Sequence, residues 1–296
     1  MVATSTAAAQ SISGYDGGTK FANDAAEQSQ TVIKRLARFA NDAYYLLRAP
    51  HPAGKKAGLW FNRLHPSRKM LGFDIAYFDR ASFVNLYREI FVRQHYYFRA
   101  DTDSPLIFDC GANLGMATLY FQWLYPKARI EAFEPDPTTF AVLKRNVTHN
   151  RLPNVETHNC ALWSDDGEIE FFVDRTTPGS LLMSTDSSRL EGEAIKVPGR
   201  RLSDFVSGPI DFLKLDVEGA EHRVLCDLLS SGKSQFVKQM VIEYHHHIGN
   251  ERSCLADFLR LLEQAGFEYQ IHASLFPVTS KGVFQDILIG AYRPMQ

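Results

Sequence analysis

Few cysteines, no long apolar run and almost no net charge set the first limits on this chain of 296 residues. Its four cysteines, Cys110, Cys160, Cys226 and Cys254, form no C-x-x-C pair and no zinc-like spacing. That argues against a disulfide framework or a zinc ribbon and leaves reduced thiols as the expectation. No apolar stretch approaches the roughly 20 residues of a membrane helix, so no membrane span is expected. The opening MVATSTAAAQSISG lacks both a basic start and an apolar core, which predicts no secretory signal and a cytoplasmic protein. A formal net charge of −2 carries no polyelectrolyte signal. Its distribution is uneven: the first hundred residues hold 14 of the 32 basic but only 7 of the 34 acidic residues. A solvated basic face against an acidic body accounts for this more simply than a nucleic-acid partner does.

What is present is material for a core, with 45% apolar and 22% charged residues. Residues 1–30 are rich in Ala, Ser, Thr and Gly and carry too little apolar surface to offset ordering entropy, so disorder is expected there. Residues 31–100 read as a helical cap, with helical spacing in TVIKRLARFANDAYYLLRA and FVNLYREIFVRQ and a short strand in HYYFRA. From 101 to 296 short apolar runs ended by acids and glycines alternate with helical patterns, interrupted by an insertion at about 174–200. LIFDCG, RIEAFEP, VETHNCALW, DFLKLDVEG and QMVIEYH read as strands, GEIEFFV and EAIKVPG as an inserted β pair, and FEYQIHA and DILIGAY as closing strands. Such alternation specifies an α/β fold, a doubly wound, mostly parallel sheet, here with an antiparallel C-terminal edge strand.

Ligands of such sheets bind at the carboxyl ends of the strands, where strand order reverses. FDCGANLGMA supplies a strand-end acid, Asp109, and a turn with Gly111, Asn113 and Gly115 leading into a helix. The helix directs free N–H groups at whatever is bound. Glu134 ends the next strand, 23 residues after Gly111, where a carboxylate would hold a ribose diol. NCALW is placed to line a base pocket. FDCGANLG, EAFEPDPTTFAVLKRNVTHN, NCALWSDDGEIEFF, DFLKLDVEGAEHRVL and VIEYH occur in this order, and together they resemble FkbM-type S-adenosylmethionine-dependent methyltransferases. The likeness spans about residues 82–290 and leaves 1–81 outside. It implies a class I methyltransferase-like fold, S-adenosyl-L-methionine as cofactor, and a small-molecule hydroxyl acceptor on a sugar, polyketide or other metabolite. It further implies that Asp109, Gly111 and Gly115 shape the cofactor pocket, that Glu134 holds the ribose, and that Ala161 and Leu162 pack near adenine.

Methyl transfer to oxygen needs an aligned acceptor and a route for its proton, and no covalent nucleophile. In keeping with that, the chain has no G-x-S-x-G sequence. Strand alternation puts Lys214, Asp216 and Glu218 on one side of LKLDVEG, and Glu243 and His245 together on VIEYH. The expected catalytic group is therefore His245, Asp216, Glu218 and Lys214, with His245 as base and Lys214 also suited to a structural ion pair. Asp216, Glu243 and His245 form an alternative set for Mg or Mn, and the metal-free version is preferred. A nicotinamide-dependent dehydrogenase is the first rival, weakened because the loop is not G-x-G-x-x-G. A nucleic-acid methyltransferase lacks an N-P-P-Y or D-P-P-Y grip for a flipped base. A non-catalytic interaction protein on the same fold is the third.

Overall fold

The computed structural model describes residues 67–174, 179, 184, 192–246, 254–273 and 285–294, all within the unit Gly54–Gln296. The expected disorder of residues 1–30 and the helix begun at Thr31 lie outside these residues, as does most of the insertion.

The described chain opens with a hairpin of β1 (Ser67–Met70) and β2 (Phe73–Ala76) inside the segment expected to be helical. Its two-residue turn, Leu71 and Gly72, has φ of 53° and 89°, the mirror-image geometry that matches strand twist. Helix α1 (Arg80–Tyr87) follows, capped by the Asp79 carboxylate on the N–H groups of Ala81 and Ser82. One π-helical turn, Arg88–Val92, extends it. The expected strand in HYYFRA is absent. Tyr96, Phe98 and Ala100 are buried while Tyr97 is exposed, so the alternation is real. The extended backbone bonds to side chains instead of a strand: Ala100 N–H donates to the Tyr125 hydroxyl and Arg99 O accepts from Gln239.

The body runs β3 (Leu106–Cys110), α2 (Met116–Leu124), β4 (Arg129–Phe133), α3 (Pro137–His149) and β5 (Val155–His158). A second sheet follows, made of β6 (Ala161–Trp163), β7 (Gly167–Val173) and β8 (Glu193–Arg201), with β7 and β8 antiparallel. VETHNCALW is thus two strands in two sheets. The Asn159 amide donates to the carbonyls of Glu134 and Pro135, at 2.9 and 3.0 Å, and turns the chain between them. The chain ends with β9 (Phe212–Leu215), α4 (Glu221–Ser230), β10 (Gln239–His246), α5 (Leu255–Gln264), β11 (Glu268–Ala273) and β12 (Gln285–Tyr292).

The main sheet has seven strands in the order β11-β12-β10-β9-β3-β4-β5. All neighbours are parallel except β12, which is antiparallel to both β10 and β11. This is the class I doubly wound arrangement, with one correction: the antiparallel strand lies one place in, and β11 forms the edge. The physical reason is composition. Ile287, Ile289 and Ala291 of β12 are buried, whereas most of β11 is exposed and polar, as an edge requires.

Chain order reverses between β3 and β9, which opens the crevice at their carboxyl ends. Leu213 and Leu215 of β9 and Met240, Ile242 and Tyr244 of β10 pack on Val224, Leu225, Leu228, Phe258 and Leu262 of α4 and α5. Each such side chain contributes about 1.5–3 kcal/mol of apolar burial. The opposite face of β9 presents Lys214, and that of β10 presents Glu243 and His245, so the core of one face positions the polar groups of the other. Among the described residues, no helix is long and apolar enough to cross a membrane.

Candidate active site

A cleft of about 810 Å³, counting the part open to solvent, occupies the crevice. Gly111, Asn113, Glu134, Ala161 and Leu162 line it on the β3–β4 side and Lys214, Asp216 and Glu218 on the β9 side, and Leu86, Ile90 and Tyr96 also border it.

The glycine loop is held by backbone bonds and by the sheet below it. The N–H groups of Gly111 and Ala112 both donate to Phe133 O, at 3.0 and 2.8 Å. Gly111 has φ 82°, and a Cβ there would collide with the carbonyl oxygen of Asp216, so only glycine fits. Gly115, with φ 93°, does not line the cleft; a Cβ there would stand 2.8 Å from Leu143 Cδ1, and its role is the approach of α3. Asp109 is also behind the loop, fully buried. It accepts from Thr118 Oγ1 at 2.5 Å and faces Lys214 Nζ at 3.6 Å. Burial pushes its pKa up and Lys214 opposes the shift.

Glu134 is the polar centre of the glycine-loop end. Its carboxylate accepts from Asn113 N–H and Asp136 N–H, both at 2.9 Å, and burial raises its pKa to about 8. A carboxylate offers about four acceptor positions. Two are used, which leaves acceptor capacity for a ribose diol. The flat apolar wall of Ala161 and Leu162 stands in the same cleft. These residues fit the nucleoside of S-adenosylmethionine.

At the other end, Asp216 and Glu218 reach the cleft, with side chains 20% and 21% exposed. Glu218 has φ 57°, and its carbonyl accepts from Ser184 Oγ of the insertion at 2.6 Å. His245 does not line the cleft. Its Nδ1 is 2.7 Å from Glu221 Oε1, and its Nε2 is 2.9 Å from Glu218 Oε2 and 3.8 Å from Asp216 Oδ1. Burial lowers the ring's pKa, but Glu218 and Glu221 outweigh it and hold the pKa well above the ordinary value. The ring expected as base thus lies behind Glu218, between two carboxylates, with Glu221 on its Nδ1. Glu243, expected in the metal set, accepts from the Tyr96 hydroxyl at 3.1 Å. Among the described residues two groups bring ligand-type atoms within 4.8 Å of one another: Asp216, Glu218 and His245 here, and Glu131, Glu156 and His158 away from the cleft lining. Lys214, expected among the catalytic residues, is nearly fully buried and is bonded to Gly111 O and paired with Asp216.

Two further residues contribute, Glu221 and Tyr96. Glu221 accepts from the N–H groups of Val217 and Gly219, at 3.3 and 3.0 Å, as well as facing His245. Its signal is an acid in the first turn of α4, where the helix N-terminus favours one. Tyr96 is signalled only by its alternation with Phe98.

The sequence model of the family described as methyltransferase FkbM domain matches residues 109–269, more than half of the chain. Methyltransferase 1 of Beauveria bassiana (strain ARSEF 2860) is 30% identical over 203 residues, covering 62% of this chain and 80% of that protein. Methyltransferase sdnD of Sordaria araneosa is 32% identical over 215 residues, covering 62% and 81% respectively. The 31-O-demethyl-FK506 methyltransferase FkbM of Streptomyces tacrolimicus is 28% identical over 229 residues, covering 66% and 86%. The matched region takes in the glycine loop, Glu134 and both acid-bearing strand ends. The chain belongs to the FkbM family of methyltransferases.

Proposed function

We propose that this methyltransferase moves the methyl group of S-adenosylmethionine to a hydroxyl of a small molecule. One observation carries the reading: Glu134 and the glycine loop share a single cleft with Asp216 and Glu218, which come from the other side of the switch point. The relative named for a 31-O-demethyl acceptor supports oxygen as the methylated atom. When bound, the cofactor supplies a methyl on a positively charged sulfur, so the chemistry is a displacement at carbon.

The chain's own residues bind, orient and remove a proton. Glu134 accepts from ribose hydroxyls, and Ala161 and Leu162 give the base an apolar wall. Leu86, Ile90 and Tyr96 cover the acceptor end and limit water there. Each transfer to a hydroxyl releases one proton, and the groups that reach the cleft to take it are the Asp216 and Glu218 carboxylates. His245 and Glu221 stand behind Glu218 and fix its position, and the reading requires no metal ion. Incubation with the cofactor and a hydroxyl-bearing panel, read by mass spectrometry, tests the proposal. A gain of one methyl group in an acceptor, lost in Glu218→Gln, is expected; methylation confined to nucleic acid or protein would overturn it.

A further inference from the structure

Lys214 is a cation placed inside the central strand β9, next to the switch point. A buried cation in such a strand is costly unless each of its donors is met. An ammonium has three donors. The Lys214 ammonium lies 2.7 Å from Gly111 O and 3.1 Å from Asp216 Oδ2. Its third direction is shared by Cys110 O at 3.5 Å and Asp109 Oδ1 at 3.6 Å, and the Tyr96 ring covers it at 5.3 Å. The two short contacts are thus both to the protein, although the side chain borders the cleft.

Its partners divide between the two ends of the site. Gly111 and Asp109 belong to the glycine loop and its support; Asp216 belongs to the acid-bearing turn. The loop in turn supplies the Asn113 N–H that holds Glu134 Oε2. A continuous path therefore runs from Lys214 through the Gly111 carbonyl and the loop to the Glu134 carboxylate. Among the described residues Asp109 Oδ1 has no hydrogen-bond partner, and the Lys214 ammonium is the charge that faces it.

We propose that Lys214 is a positioning residue of the cofactor site: it fixes the glycine loop against Asp216, and through the loop it aims Glu134. The inference rests on the reading of the cleft as a nucleoside-cofactor site. It assigns Lys214 no contact with the reacting atoms and no proton transfer.

Calorimetric binding of S-adenosylhomocysteine, at a temperature where circular dichroism shows every variant folded, tests this. Lys214→Met should weaken binding by about tenfold or more, the size of one lost charged hydrogen bond. Lys214→Arg, which keeps the charge and the donors, should recover most of the loss. Glu134→Gln should cost less in the Lys214→Met background than in the wild type, because the two residues act through one loop. If Lys214→Met does not fold, the double variant Asp109→Asn/Lys214→Met, which also removes the stranded carboxylate, carries the same measurement. Wild-type affinity in a folded Lys214→Met protein, or additive losses with Glu134→Gln, would overturn the proposal. Absence of binding by the wild type would instead strike the cofactor reading itself.

Discussion

The two ends of the cleft are built in different ways. The proposed cofactor end comes from one stretch of chain, residues 109–136 with the neighbouring Ala161 and Leu162, and backbone N–H groups donate most of its bonds. Phe133 O takes two loop N–H groups, and Glu134 takes two more. The proposed acceptor end is assembled from distant pieces: α1 with the chain that follows it, the end of β9, the end of β10 behind it, and Ser184 of the insertion. Side-chain charges join them, with His245 between Glu218 and Glu221 and Lys214 between Asp109 and Asp216. A backbone-built end tolerates little change of shape and suits a constant ligand. A side-chain-built end can be altered residue by residue.

Substitutions on either side should separate the two ends. The largest effect is expected at Glu218→Gln, which should lower turnover by about 10²–10⁴. Its affinity for S-adenosylhomocysteine should stay near the wild-type value; a parallel loss of affinity would erase the division. Glu134→Gln should do the reverse, weakening cofactor binding by about 1.5–3 kcal/mol in calorimetry. At Gly111→Ala the new methyl meets the Asp216 carbonyl, so destabilisation of about 1–3 kcal/mol is expected in denaturant unfolding, with no comparable effect at the open Gly208.

Acidity offers a subtler separation. Burial lifts Glu134 from its ordinary 4.5 to about 8, so the folded protein holds a proton that the unfolded chain releases. Its contribution therefore makes stability fall as pH rises from the ordinary value to about 8, and Glu134→Gln should flatten that slope. Ribose hydroxyls favour the carboxylate, so affinity for an uncharged nucleoside should rise across the same window and level off above it. The smallest effect is expected from a chelator: turnover should be unchanged after EDTA treatment, and recovery only on adding Mg or Mn would restore the cation reading of Asp216, Glu218 and His245.

The sequence made the cofactor end legible because its signals are local. A strand-end acid, a glycine turn and a second acid one βα unit later fix their own placement once the strands are recognised. The acceptor end was legible only by face. Alternation puts Glu243 and His245 on one side of β10, but it cannot say which reaches the cleft. That depends on packing against residues far away in sequence: Tyr96 takes Glu243, and Glu221 holds His245 from behind. In the fold, composition decides which closing strand is the edge. DILIGAY is the more apolar of the two closing strands and belongs inside. HYYFRA shows the converse, an alternation that is correct about burial and silent about whether a second strand lies alongside.

The most direct measurement is calorimetry of S-adenosylmethionine with the wild-type protein and with Glu134→Ala. One cofactor bound per chain by the wild type, and loss of that binding in the variant, is the expected result. No binding by the wild type at millimolar cofactor, or undiminished binding by Glu134→Ala, would contradict it.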